Sequence, residues 1–236
     1  MPPILTLLAD AFGLLLFRRP SPWIAKAWPW YLAYGLVMTW LAGVGRYWDN
    51  PRAEMWQYWG LGSVAYVFCL ALILWSLLAP LRPRHWSYRN VLVFLTLTAP
   101  PALLYAIPVE QFMSLGAAQT TNAWFLAIVA TWRVALLAWY LRSVAALPTG
   151  RIVIATLLPL ALIVVALATL NLEHVVFNIM AGISPEDRSA NDMAYGIVSM
   201  LALLSFVTAP VLLGAYLYAI FRAWTPGDDS PDRSGD

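Results

Sequence analysis

A single arginine, Arg133, stands in the middle of an apolar stretch that runs from Asn122 to Leu141. About 20 apolar residues are long enough to cross a lipid bilayer. A cation at the centre of such a span costs about 2.5–3.5 kcal/mol on insertion scales and marks a functional site by default. Three roles for Arg133 stay open: bonding to other helices, snorkelling toward the Arg142 end, or binding an anion or lipid headgroup in a polar cavity.

Prolines inside other apolar stretches are candidate partners for this arginine. Pro100, Pro101, Pro159 and Pro210 are predicted to kink their helices, because each proline removes a donor and leaves a carbonyl about four residues earlier unbonded. Counted from the ends of the stretches, the kinks and Arg133 lie at similar depth. A guanidinium has five donors and no acceptor. In its first possible role, Arg133 would therefore donate hydrogen bonds to these freed carbonyls and so hold the kinked helices together.

Polar residues gather at the ends of three successive apolar stretches, on one side of the predicted membrane. They are Glu110, Gln111, Gln119, Asn122, Asn171, Glu173 and His174. Helix ends that meet at one membrane face could bring them together. Two interpretations stay open: an ordinary polar cap, or a pH-sensitive site around His174. The candidate ligand-binding residues are Arg133, Glu110, Asn122, Asn171, Glu173 and His174.

Most catalytic chemistries lack the residues they need in this chain. The two histidines, His85 and His174, are predicted on opposite sides of the membrane, and the single cysteine, Cys69, lies in an apolar stretch. Neither histidine belongs to a spaced set of metal ligands, and no zinc-protease, nucleophile-elbow or phosphate-binding glycine motif occurs. We therefore predict no catalytic residue, no metal site and no cofactor. An enzyme is the least supported class.

The composition is that of a membrane protein. Of 236 residues, 61% are hydrophobic and 11% are charged, whereas a soluble domain has about 25% charged residues. The net charge is +2, and the basic residues lie in short flanks rather than in one patch, which argues against binding of nucleic acid. Membrane lipids are the predicted partners, with another membrane protein or a second copy of the chain as further candidates.

The hydropathy pattern predicts an all-α transmembrane bundle of about six spans with an N-terminal interfacial helix. Windows near 20 residues with few charges place the spans at Trp28–Gly45, Tyr58–Pro80, Asn90–Val109, Asn122–Leu141, Ile152–Leu172 and Tyr195–Phe221. The run Ile4–Phe17 would reach only about 21 Å, short of a hydrocarbon core near 30 Å. Its polar and small members recur at helical spacing, which predicts an amphipathic helix in the interface within residues 1–20. A short re-entrant or tilted span is the alternative.

Basic residues decide the predicted orientation. Ten of the fourteen Lys and Arg residues fall in segments that share one side of the membrane, and three fall on the other side. Because cytoplasmic flanks are enriched in Lys and Arg, both termini are predicted in the cytoplasm, with the bacterial inner membrane as the location. Residues 1–224 form one predicted transmembrane domain. Residues 225–236 form a predicted disordered, acidic tail, because they contain no apolar side chains that could form a core.

An apolar opening, an Arg18-Arg19-Pro20 hinge and a packed set of apolar spans follow one another in this chain. This layout, most clearly from Leu14 to Gly43, resembles bacterial members of the Yip1-type membrane protein family. The Asp-Leu-Tyr-Gly-Pro signature of that family's eukaryotic members is absent, and the family has five spans where six are predicted here. No functional residue carries over. The resemblance implies a membrane-organising or accessory role.

Two functions are compatible with these residues. The first is a non-enzymatic scaffold or accessory protein, which the resemblance implies and which small residues such as Gly35 and Gly43 favour, because they suit helix packing. The second is a small transporter or a lipid- or anion-handling protein. In that case the kinked spans would surround a mid-membrane site at Arg133.

Overall fold

The computed structural model describes residues 3–48, 54–170 and 192–225, and every regular element within these ranges is helical. The α-helices are α1 (Ile4–Leu15), α2 (Pro22–Lys26), α3 (Trp28–Tyr47), α4 (Met55–Tyr58), α5 (Leu61–Leu78), α6 (Tyr88–Leu97), α7 (Leu115–Ser143), α8 (Thr149–Thr169) and α9 (Asp192–Trp224). Short 3₁₀ helices join some of them: η1 (Ala79–Leu81), η2 (Pro100–Ala106) and η3 (Val109–Gln111). The predicted all-α class is confirmed for the described residues. The predicted tail, residues 225–236, lies outside them except for its first residue.

Four helical segments in the described part are long and apolar enough to cross a membrane. They are Leu61–Leu81, Gly116–Ser143, Thr149–Thr169 and Met200–Trp224. The bent pair of α6 and η2 makes a fifth if it is counted as one span. These helices agree with the predicted class, a helical protein embedded in a membrane. The number of spans that they support is four or five, rather than six.

The predicted span Trp28–Gly45 coincides with α3, which is not among these segments. At 20 residues, α3 is about 30 Å long, but its Trp and Tyr residues and Arg46 lower its mean hydropathy. The packing explains this composition, because α3 has extensive contacts with α5, α6 and η2. Tyr31, near its start, is completely buried. A helix that faces other helices can carry polar groups that a helix facing lipid on all sides cannot.

The ends of the helices alternate between two sides of the bundle. On one side, the backbone N–H of Arg84 donates to the carbonyl of Ala145, just after α7, at 2.9 Å. On the same side, Arg151 of α8 donates to the last carbonyl of η1 at 3.4 Å. We call this side, with Arg82, Arg84, Arg89 and Arg151, the basic end. The opposite end contains the last turn of α3 and the end of η2.

The N-terminal helix α1 packs against α3 and α6 with its polar residue pointing inward. The Asp10 carboxylate accepts a hydrogen bond of 2.6 Å from the Tyr31 hydroxyl. The outward side is apolar, with Ile4 68% and Phe12 64% exposed. The Asp10 side of α1 thus faces the bundle, because the carboxylate finds its partner inside the protein. The placement of Ile4–Phe17 in the membrane interface stays a prediction.

The predicted proline kinks have two different outcomes. At Pro100 and Pro101 the span is interrupted, since α6 ends at Leu97 and η2 continues at an angle of 44°. Pro159 and Pro210 lie within the continuous helices α8 and α9. One proline removes a single helical hydrogen bond, whereas two consecutive prolines remove two. A helix that packs along its length can therefore continue past one missing hydrogen bond more easily than past two consecutive missing bonds.

Thr156 of α8 carries a polar atom that its surroundings do not satisfy. Its side chain is buried, and its Oγ1 has no hydrogen-bond partner among the described residues. The equally buried Thr39 donates to the Gly35 carbonyl at 2.8 Å. Because an unsatisfied buried polar group costs about 1–3 kcal/mol, Thr156→Val should raise the free energy of unfolding by about 1 kcal/mol. Thermal unfolding in detergent checks this, with Thr39→Val as the matched control. Equal losses of stability in both variants would contradict it.

Candidate functional site

Arg133 lies on α7, about 15 Å from the end of that helix at Ser143 at a rise of 1.5 Å per residue. Its side chain is half-buried. Long side chains on an α-helix lean toward the helix N-terminus, which for α7 is Leu115. This general tendency does not by itself fix where the guanidinium lies, so snorkelling toward Arg142 stays a prediction.

Tyr105 of η2 is the residue on which two arginine charges act. The guanidinium carbon of Arg46, near the end of α3, lies 4.5 Å from the centre of the Tyr105 ring. The charge of Arg133 also acts on the Tyr105 phenol. The charge of Arg46 also acts on the neighbouring Tyr47 phenol. We call Arg46, Tyr105 and Arg133 the cationic cluster.

The bend between α6 and η2 places Tyr105 in this cluster. Between Leu97 and Pro100 the chain turns by 44°, and η2 then runs along α3 to its last turn. The close approach of η2 to the last turn of α3 depends on Gly45, since a Cβ at this position would lie 2.6 Å from the Cβ of Ala106. The Trp48 indole then donates to the Ala106 carbonyl at 3.1 Å. The proline break thus positions the Tyr105 ring against the Arg46 guanidinium.

The cationic cluster lies on an apolar base. Ala42 of α3, Ala102 of η2 and Val129 of α7 are buried together, with exposures of 7%, 9% and 3%. Tyr105 packs against this group. Val129 is one helical turn before Arg133, on the side toward which the arginine leans. Charges above such a base interact more strongly than in water, because the local dielectric constant is low.

Within the part of the chain whose side chains are described, Arg133 forms no hydrogen bond and no ion pair. The predicted bonds from Arg133 to carbonyls freed by prolines are thus not formed among these residues. A guanidinium offers paired donors that fit carboxylate and phosphate oxygens. The arrangement can therefore hold an oxyanion.

An apolar groove of about 470 Å³ lies between α1 and η2. The residues that line it are Phe12, Leu15, Leu16, Pro100, Pro101, Leu103, Leu104, Ile107 and Trp132. The Trp132 indole donates to the Leu15 carbonyl at 3.0 Å, which ties α7 to the end of α1 and satisfies that carbonyl. The groove and the cationic cluster share η2. With about three residues per turn, Leu104 and Tyr105 point about 120° apart.

The predicted polar cluster at the span ends is placed only in part. Glu110 belongs to η3, which packs against α7, and Asn122 lies in the first turns of α7. The segments that carry these two residues are therefore brought together. Asn171, Glu173 and His174 lie outside the described residues, so the interpretations of a polar cap and of a His174 site stay predictions.

Arg46 and Tyr105 are site residues that the sequence pattern does not single out. The one signal available is that Arg46 is among the few basic residues on its predicted side of the membrane. Its pairing with Tyr105 depends on the direction of the bend after Pro101, and no periodicity encodes that direction.

Comparison of the chain with protein-family models, with curated proteins and with solved structures gives no match. The site is therefore interpreted from its own geometry, and the resemblance to the Yip1-type family stays a prediction.

Proposed function

We propose that this membrane protein handles lipids or anions and binds an anionic group at the cationic cluster. One observation carries the proposal: Arg133, a half-buried cation on an apolar helix, forms no hydrogen bond and no ion pair with the residues whose side chains the structure describes. A functional role of Arg133 was one of the three open roles. The observed surroundings favour it, because no described carboxylate or carbonyl pairs with this guanidinium.

The chemistry of the cluster selects an oxyanion as the ligand. The Arg133 guanidinium can donate two parallel hydrogen bonds to a carboxylate or phosphate group. The Tyr105 hydroxyl can donate one more. A lipid phosphate and free inorganic phosphate share this chemistry. The apolar base below the cluster strengthens the attraction relative to the same charges in water.

The placement of the protein in its membrane is part of the proposal. The gathering of arginines at the basic end supports both termini in the cytoplasm of a bacterium, with the cationic cluster toward the outer leaflet. The exposed apolar side of α1, with Ile4 and Phe12, supports a helix at hydrocarbon depth. This is the re-entrant or tilted alternative for that segment, because a surface helix would expose polar residues instead.

The scaffold or accessory function, with another membrane protein or a second copy as partner, stays a prediction. The described helices expose wide apolar faces, and only 11% of the window in Met200–Trp224 is buried. Lipid covers such a face as well as a protein partner does. The exposed faces therefore do not favour a protein partner over lipid.

Stabilisation by phosphate tests the proposed site. A ligand present at 100 times its dissociation constant stabilises the folded state by about 2.7 kcal/mol. We expect inorganic phosphate to raise the melting temperature of the detergent-purified protein, relative to chloride at matched ionic strength. Arg133→Gln should remove this increase, and Arg133→Lys should keep part of it. The readout is a thermal unfolding curve at each phosphate concentration.

Arg142→Gln is the matched control, since Arg142 is an exposed arginine on the same helix near the basic end. This variant should keep the full response to phosphate. If both glutamine variants respond as the unmodified protein does, Arg133 does not bind the anion and the proposal fails.

A further inference from the structure

The basic end carries several arginines beside the point at which α9 ends, and we infer that the acidic tail that follows α9 binds to them. The tail comprises residues 226–236, and its charged residues are Asp228, Asp229, Asp232, Arg233 and Asp236. A carboxylate accepts paired hydrogen bonds from a guanidinium. The basic end is thus an interaction surface whose partner is a segment of the same chain. The inference is independent of the cationic cluster, because none of the three residues of that cluster takes part.

The end of α9 is fixed at the basic end by three contacts. The Trp224 indole donates to the Pro80 carbonyl at 3.1 Å. The Arg82 guanidinium lies over the Trp224 ring, 4.6 Å from its centre, and donates to the Ala223 carbonyl at 3.4 Å. The tail therefore begins beside Arg82.

Two more arginines lie close to this point. Arg151 donates to the carbonyl of Leu81, the neighbour of Arg82, at 3.4 Å, and Arg84 follows two residues after Arg82. Arg82 and Arg84 are exposed. Among the residues whose side chains the structure describes, no carboxylate forms an ion pair with these three arginines. Since a guanidinium has five donors, most of their donors are left for a ligand.

The first carboxylates of the tail are within reach of these arginines. Asp228 and Asp229 are four and five residues after Trp224, so they can lie at most about 14 and 18 Å from it. Pro226 and Gly227 stand between them and the helix, and a Pro-Gly pair is a turn signal. A short flexible connection gives the tethered groups an effective concentration in the millimolar range, about 1 mM or more. The tail therefore meets the arginines without a search through solution.

Anionic lipid headgroups are the competing occupant, because they also attract arginines at a membrane surface. Two observations favour the tail. It is covalently attached beside Arg82, whereas a lipid exchanges with its neighbours. Its four aspartates would also be repelled by an anionic leaflet if they lay unpaired beside it. Pairing with arginines offsets this repulsion.

A distance measurement between two spin labels tests the inference. The full chain carries the labels at Ser234→Cys and Gly150→Cys, in a Cys69→Ser background, in nanodiscs that contain phosphatidylglycerol. Gly150 lies in the first turn of α8, and a Cβ there meets no atom within 4 Å, so a label fits. An unbound tail from Trp224 to the label would spread over about 17 Å. We expect pulsed electron paramagnetic resonance to give a distribution at most about half as wide.

Charge variants identify the groups that bind. Replacing Asp228 and Asp229 together by Asn should widen the distribution, and so should Arg84→Gln, which removes an exposed side chain without a described partner. Asp232→Asn and Arg233→Gln are a matched pair of neighbours with opposite expectations. The first should widen the distribution, and the second should keep it narrow up to a higher NaCl concentration. In the unmodified tail, about 1 M NaCl should widen it, since the screening length is then only about 3 Å.

Three results would overturn the inference. A broad distribution in every nanodisc means that the tail does not bind. A narrow distribution that the Asn variants leave unchanged means that the carboxylates do not hold the tail. A distribution that is narrow in pure phosphatidylcholine but broad with phosphatidylglycerol means that lipid headgroups occupy the basic end. Arg133→Gln should leave the distances unchanged, so the phosphate titration decides separately on the proposed anion site.

Discussion

Gly35→Ala is expected to lower the free energy of unfolding by about 1–3 kcal/mol, because it over-packs the contact between α3 and α6. A Cβ at Gly35 would lie 2.5 Å from Oγ1 and 2.6 Å from Cβ of Thr96, and 2.9 Å from its backbone carbonyl carbon. Thr96 is completely buried, and its hydroxyl is bonded to the Val93 carbonyl at 2.9 Å. The two helices must therefore separate to admit the methyl group.

The sign of this effect distinguishes it from intrinsic helix propensity. Alanine is a better helix former than glycine by about 1 kcal/mol, so a glycine without close neighbours should be improved by the change. Gly150 and Gly214 lie in α8 and α9, and a Cβ at either would meet no atom within 4 Å. Gly150→Ala and Gly214→Ala are thus the matched controls. Thermal unfolding in detergent would contradict the prediction if Gly35→Ala were as stable as these controls.

The hydrogen bond between Asp10 and Tyr31 is expected to have the second large effect. It is 2.6 Å long and joins α1 to α3, and Tyr31 is completely buried. Asp10→Leu would leave the tyrosine hydroxyl without its acceptor, and Tyr31→Phe would leave the carboxylate without its donor. Each single change should cost about 1–3 kcal/mol, because a buried polar group is then unsatisfied.

The double variant gives the opposite expectation. When both partners are replaced by apolar groups of similar shape, the change can be nearly neutral. Unfolding free energies of the four proteins therefore form a double-mutant cycle, with an expected coupling of about 0.5–3 kcal/mol for residues in direct contact. Additive losses in the double variant would show that the bond does not hold α1 on the bundle.

Hydropathy alone was sufficient to locate the helices. Each predicted span overlaps an observed helix or, for Asn90–Val109, the bent pair of α6 and η2, although only four or five of these segments are long and apolar enough to cross a membrane. Hydropathy locates these helices because lipid imposes the same requirement on every spanning segment. The backbone polar groups must be hydrogen-bonded within the segment and covered by apolar side chains. That rule acts locally, so it is visible in a window of about 20 residues.

Hydropathy did not show which helices lie inside. The composition of α3 resembles that of a poor span, yet its Trp and Tyr residues belong to a helix packed against several others. The polar residue of α1 suggested a helix facing water, whereas Asp10 is bonded to Tyr31. The Tyr31 hydroxyl and the Trp40 indole of α3 both donate to partners outside that helix, and a pattern along one helix cannot reveal a partner on another.

By itself, the sequence determined the helical class, the positions of the apolar helices and the unusual depth of Arg133, because each follows from the cost of placing polar groups in lipid. Only the tertiary structure decided what surrounds Arg133. The break between α6 and η2 brings Tyr105 under Arg46, while Arg133 has no hydrogen-bond or ion-pair partner among the described side chains. The contact between Arg46 and Tyr105 depends on how α3 and η2 are placed relative to each other. Close contacts, such as that between Gly45 and Ala106, set this placement, and local periodicity does not encode it.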